Sequence, residues 1–146
     1  MKVSTKGRYA LRLMIDLGVH SKDGYISLKD ISARQDISAK YLEQIVTPLL
    51  RAGLVRSIRG AQGGYRLSRT PDKYTAGEIL RAIEGSFAPI ACLESDVNYC
   101  ERYEECPTVG FWEGMYKVIN DYVDSVSLEQ LIEEQNRSEA ATCTDR

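Results

Sequence analysis

The chain of 146 residues contains no run of 18 apolar residues, so nothing in it reads as a transmembrane helix. Its first residues, MKVSTKGRYALRLM, lack a continuous apolar core and a small-residue cleavage site, and do not read as a secretory signal. The expected location is cytoplasmic, with no membrane partner. His20 is the single histidine, which leaves no His-rich constellation and no Ser/His/Asp set on which to build catalysis. A glycine-rich nucleotide fingerprint after a strand is also missing, and no small-molecule substrate is expected. These absences argue against an enzyme. The four cysteines include no pair at C-x2–4-C spacing, the usual mark of a structural zinc site. A composition of 43% hydrophobic and 27% charged residues is nonetheless that of a soluble chain able to bury a core. The length suits one domain with an appended helical element.

What is present is uneven. Residues 1–74 hold 14 Lys/Arg against 6 Asp/Glu, a charge of +8, whereas residues 75–146 hold 5 against 15, a charge of −10. A basic first half points to a polyanionic partner, and an acidic second half does not lie on one. The bland reading, differently charged solvated faces, accounts poorly for a swing of this size.

The pattern along the chain predicts a mainly α fold with a small β wing. A helix over 4–21 is carried by Ala10, Leu13, Met14 and Leu17, with Lys6, Arg8 and Arg12 on its exposed side and Gly7 a mild cost. A short helix over 27–35 starts at Ser27, with Asp30 resembling the second half of a capping box. Ser38 caps a third helix over 39–52, whose stripe is Leu42, Ile45, Val46, Leu49 and Leu50, leaving Lys40, Glu43, Gln44 and Thr47 off it. Then Leu54, Arg56 and Ile58 alternate, as do Tyr65 and Leu67, around GAQGG, which predicts a β-hairpin. Two helices, a turn and a basic hairpin make a winged helix-turn-helix whose third helix enters the major groove of double-stranded DNA. Arg56, Arg59, Arg66 and Arg69 charge the wing, while Gly60, Gly63 and Gly64 let its backbone come close to phosphates or a narrow minor groove. A tight turn also asks for these glycines.

Thr75 and Glu78 open a fourth helix that ends at Gly85. The region 86–108 is a loop holding Cys92, Cys100 and Cys106 at C-x7-C-x5-C spacing. Clustered thiols in a reducing compartment suit zinc or an iron–sulfur cluster, and the long spacing wraps around something larger than one ion. Metal-free, redox-active thiols are the other reading. Phe111, Trp112, Met115, Val118, Ile119, Tyr122 and Val123 then form a broad helical stripe within 109–135, followed by a short helix opened by Ser127 and Gln130. That stripe is expected to pack on the first helix and, as a dimerisation helix, on a second copy of the chain. Residues 136–146 read as a disordered tail.

The stretches STKGRYALRLMIDL, SAKYLEQIVTPLLRAGLV, SIRGAQGGYRL and AGEILRAIEG, followed by the three-cysteine loop, closely resemble the family of bacterial winged-helix regulators that includes IscR, NsrR, RirA and CymR. The resemblance covers roughly residues 1–135. It implies a homodimeric transcription factor, most like IscR, with an iron–sulfur cluster on Cys92, Cys100 and Cys106. [2Fe–2S] is favoured over [4Fe–4S], and cluster status would set repression of cluster-assembly genes. It places Ser38, Tyr41, Glu43 and Gln44 against the bases and Arg59 in the minor groove. A nitric-oxide-sensing repressor and a cluster-free regulator of cysteine metabolism are the alternatives it carries. One departure stands out. Where one branch of the family has a histidine ligand three residues after the last cysteine, this chain has Val109, and where another draws an aspartate from the partner's first helix it has Arg8. The fourth ligand is therefore unassigned, with Glu104, Glu105, Cys143, a partner residue and an exogenous thiol as candidates.

Overall fold

The computed structural model describes residues 2–97 and 100–144. Residues 98 and 99 of the cysteine loop and the last two of the expected tail lie outside the described residues. The elements run α1 (Thr5–His20), α2 (Leu28–Gln35), α3 (Ala39–Arg51), β1 (Val55–Ile58), β2 (Gly64–Leu67), α4 (Ala76–Glu84), α5 (Val109–Ser125) and α6 (Leu128–Thr144). This is a winged helix-turn-helix with two further helices, mainly α as the periodicity predicts.

Short polar side chains start most of the helices. The hydroxyls of Ser4, Ser27, Ser38 and Thr75 accept from the backbone N–H three residues on, at 3.1–3.2 Å. Each satisfies a donor that the first helical turn leaves unpaired. The buried faces of α1 (Ala10, Leu13, Met14, Leu17) and α3 (Leu42, Ile45, Val46, Leu49) are the predicted stripes, and they close one core with Ile31, Leu54, Leu67, Tyr74 and Ile79. Asp16 is buried on the same side of α1, where it accepts from Arg34 Nε (2.9 Å), Arg34 Nη2 (2.7 Å) and Gln35 Nε2 (3.0 Å). This fork pins α1 to α2 and fixes where the helix-turn-helix begins.

Gly7, a cost by helix propensity, proves to be a contact. A Cβ there would lie 2.2 Å from Glu84 Oε1, the oxygen that accepts from Ser4 N (2.9 Å) and Ser4 Oγ (2.5 Å). The end of α4 thus caps the start of α1, and a side chain at position 7 would push the Glu84 carboxylate off this cap.

Strands β1 and β2 pair antiparallel, Val55 opposite Leu67 and Arg56 opposite Arg66. Ile26 adds a bridge to Tyr65, with both backbone bonds at 2.8 Å. The fully buried Tyr74 locks the base of the wing. Its hydroxyl donates to Leu54 O (2.7 Å) and accepts from Ser68 N (2.9 Å) and Arg69 N (3.0 Å).

Two expectations change in the C-terminal half. The long helix α5 lies on α4 rather than on α1, held by Arg81 of α4 to both carboxylate oxygens of Asp124 (2.7 and 2.8 Å) and to Asn120 Oδ1 (2.7 Å). A two-residue bridge, Ala76 N to Val126 O and Leu128 N to Tyr74 O, then turns the chain back, and α6 takes the place on α1, with Leu128 buried and Ile132 over Gly18. The second change concerns the tail, which continues as helix to Thr144. The Ser127–Gln130 capping box closes in both directions (2.8 and 3.1 Å). The following Glu-, Gln- and Ala-rich run has high helix propensity and adds bonds one turn apart, such as Gln135 to Glu139.

Candidate nucleic-acid interface and cysteine loop

Helix α3 turns Lys40, Glu43 and Gln44 to solvent, while Tyr41 is half-buried. Ser38 is exposed at the start of the helix, and its hydroxyl is engaged as the cap. The Tyr41 ring stands edge-on to Tyr9 of α1, with centroids 5.9 Å apart. The Arg12 guanidinium lies over Tyr9 at 5.2 Å and donates to Gln35 Oε1 (3.1 Å) and to Gln35 O. Tyr9 and Arg12 thus brace the helix-turn-helix from α1. In the sequence Arg12 shows only as a surface charge and Tyr9 gives no signal, because the Tyr9–Tyr41 pair joins residues 32 apart.

On the wing, Arg56 and Arg66 face each other across the strands. Like charges in that register repel, and a polyanion laid along the face would relieve the repulsion. Arg66 also stacks over Tyr25 at 5.6 Å. Arg59 is exposed where β1 enters the tip. The tip turn is closed by Gly63 N to Gly60 O at 3.0 Å, with Gly60 at φ 115°, a conformation other residues rarely take. Gly64 answers a different need, since a Cβ there would sit 2.3 Å from Ile26 O and break the third-strand bridge. Arg69 does not belong with the wing cations. It bonds Glu78 Oε1 (2.7 Å) and Lys73 O (3.0 Å) and lies over Tyr74 at 4.3 Å. Glu78 holds its guanidinium pKa above the ordinary value.

The cysteine loop joins α4 to α5. Cys92 and Cys106 are half-buried and Cys100 is exposed. The Cys92 thiol is pushed up first by desolvation, then by the neighbouring Cys100 thiol through charge and a hydrogen bond, and last by Cys106. Cys106 is held below the ordinary thiol range by the Thr108 hydroxyl, 3.4 Å away, and by the backbone N–H groups of Thr108 and Val109 at the start of α5. A helix N-terminus favours a thiolate. Among the described residues, no group of three or more His, Cys, Asp and Glu side chains is arranged to hold a single metal ion. Three cysteine sulfurs in one loop are soft donors of the kind an iron–sulfur cluster takes.

The region from α1 through α6 matches a family model at residues 3–134, that of Rrf2, described as an iron-dependent transcriptional regulator. The chain belongs to the Rrf2 family. It is a DNA-binding transcriptional regulator of the winged-helix kind. The HTH-type transcriptional regulator CymR of Bacillus subtilis is 44% identical over 131 residues, covering 90% of this chain and 89% of the relative. Among solved structures, CymR, the global cysteine regulator of B. subtilis, superposes with a TM-score of 0.74 at 40% identity, covering 92% and 98% of the two chains. T. potens IscR gives 0.73 at 38% identity, covering 94% and 90%. Similarity to the two is nearly equal, so the loop's own chemistry has to decide between them. Among the described residues of this Rrf2 protein, no helix is long and apolar enough to cross a membrane.

Proposed function

We propose that the protein is a homodimeric, sequence-specific repressor that senses iron–sulfur cluster status and controls cluster-assembly genes. The observation that carries this is the gathering of Cys92, Cys100 and Cys106 in the one loop that joins α4 to α5. A bound cluster, [2Fe–2S] in this reading, would supply an oxidant-sensitive crosslink among the three thiolates. The protein's own residues do the rest. Cys106 stands at the start of α5 with its thiol held below the ordinary range, and Arg81 clasps α5 to α4 through Asp124 and Asn120. Glu84, the last residue of α4, caps α1 beside the reading head. Order in the loop is thereby linked to the placement of α1 and α3, a two-state coupling.

Double-stranded DNA meets Lys40, Tyr41, Glu43 and Gln44 in the major groove and Arg59 at the wing tip. Glu43 accepts from cytosine N4. Dimerisation rests on α5, where Phe111, Val118 and Tyr122 are 66–68% exposed in the single chain. A second copy covering them would match two half-sites one helical turn apart. Visible absorption, iron and sulfide of anaerobically purified protein, followed by DNA binding of holo and cluster-free forms, test the sensing claim.

The similarity to CymR supports a second reading, a cluster-free regulator of cysteine metabolism. In that case the triple substitution Cys92→Ala, Cys100→Ala and Cys106→Ala leaves DNA binding and its regulation unchanged. The first reading expects regulation to be lost.

A further inference from the structure

Placing α3 in the major groove and Arg59 in the adjacent minor groove sets a geometric demand. One sugar–phosphate backbone separates the two grooves, so the protein straddles it and that strand runs between helix and wing. An open cleft of about 490 Å³ lies between the start of α2, the end of α3 and the wing. Its walls suit a polyanion. Among the described residues no Asp or Glu lines it, and Arg59 is its one charged side chain. The strand register supplies polar groups. Ser57 pairs directly with Tyr65, so their side chains share one face of the hairpin. That face buries Val55 and Leu67 nearer the base, and beyond the edge of the core it emerges as a wall of the cleft. Among the described residues no partner bonds the Ser57 or the Tyr65 hydroxyl. At the start of α2 the Ser27 hydroxyl accepts from Asp30 N at 3.1 Å and keeps its own proton to donate. Leu28 and Leu50 complete the lining with apolar surface, which a deoxyribose can cover.

We infer that this cleft seats one phosphodiester of the straddled strand, with the Ser57 and Tyr65 hydroxyls donating to its oxygens and the Ser27 hydroxyl joining them from α2. The inference rests on the groove placements proposed above and is independent of the cluster. Hydroxyl contacts to phosphate fix register on the duplex and carry no sequence information. The seat therefore sets how far α3 and Arg59 reach into their grooves, and it strengthens binding to any duplex.

The test uses the full chain as wild type, Ser57→Ala, Tyr65→Phe and the double variant, with circular dichroism and thermal unfolding as controls for folding. The probe is a duplex selected from a random-sequence pool, in which single phosphates are replaced in turn by uncharged methylphosphonate. Wild type is expected to lose about 10-fold in affinity when the straddled phosphate is replaced. Each single variant is expected to bind about 3–10-fold more weakly, to the selected and to an unrelated duplex alike. The slope of log K against log salt stays as in wild type, because a neutral donor releases no counterion. In the double variant the same methylphosphonate costs less than about 2-fold, since both changes remove one contact. An equal methylphosphonate penalty in wild type and double variant at every position would overturn the seat and leave DNA binding intact. So would a loss confined to the selected duplex, which marks a base contact. If wild type binds no duplex, the seat and the groove placements fall together. Should Tyr65→Phe not fold, Ser57→Ala, exposed on the wing, carries the same comparison alone.

Discussion

Single residues carry two kinds of work here, and only one kind is visible in the sequence. The glycines of GAQGG announce a turn by composition, and Gly60 and Gly64 each meet a specific demand of φ or approach. Gly64→Ala is expected to break the Ile26–Tyr65 bridge and cost about 1–3 kcal/mol, read by thermal or denaturant unfolding. Tyr74 gave no such signal, because its three partners, Leu54 O, Ser68 N and Arg69 N, converge only after the hairpin has folded. Tyr74→Phe keeps the ring and leaves those groups unpaired, and a loss of about 1–3 kcal/mol is expected in the same assay. Arg69 was legible as a charge but not as a partner of Glu78, since sequence fixes no rotamer. Arg59→Ala and Arg69→Ala should therefore separate. The first weakens DNA binding at unchanged stability, and the second lowers stability.

At the scale of elements, the local rules did well. Helix starts at Ser27, Ser38 and Thr75, the apolar stripes of α1 and α3 and the hairpin are readable from spacing and capping chemistry, whereas the Ser4 cap of α1 emerges only in the structure. What could not be read was which helix packs on which. The place of α5 on α4 depends on Arg81 meeting Asp124, 43 residues away, and on Gly77, where a Cβ would lie 2.1 Å from Asp124 Oδ1. The extension of α6 to Thr144 is hidden in the sequence because a polar run resembles a tail, although its propensity is helical. The clasp has a pH signature. Arg81 holds Asp124 below its ordinary carboxylate value. Its contribution is therefore present above the unfolded value of about 3.9 and is lost as the pH falls through the lower folded value. Both groups are partly exposed, so the contribution is about 0.5–1 kcal/mol. Asp124→Asn should lower stability by that amount at neutral pH and flatten the acid limb of the stability curve, as followed by denaturant unfolding across pH.

For the whole molecule, the separation of charge becomes a separation of labour. The basic half forms the reading head, and the acidic half forms the loop and the helices behind it. Affinity for duplex DNA should fall steeply with salt, and Lys40→Ala should lower the slope of log K against log salt by about 1 per protomer. Covering α5 with a second copy should make the solution species a dimer, and Phe111→Asp with Val118→Asp should shift sedimentation toward monomer and weaken binding to paired half-sites. The central claim is that cluster status in the loop sets what the reading head does. Its most direct measurement is anaerobic binding of one protein preparation, before and after removal of iron by a chelator, to a duplex selected from a random-sequence pool. The account expects a coloured protein containing iron and sulfide whose affinity changes about 5–150-fold when the colour is removed. A colourless anaerobic protein, or equal affinity in the two forms, would contradict it.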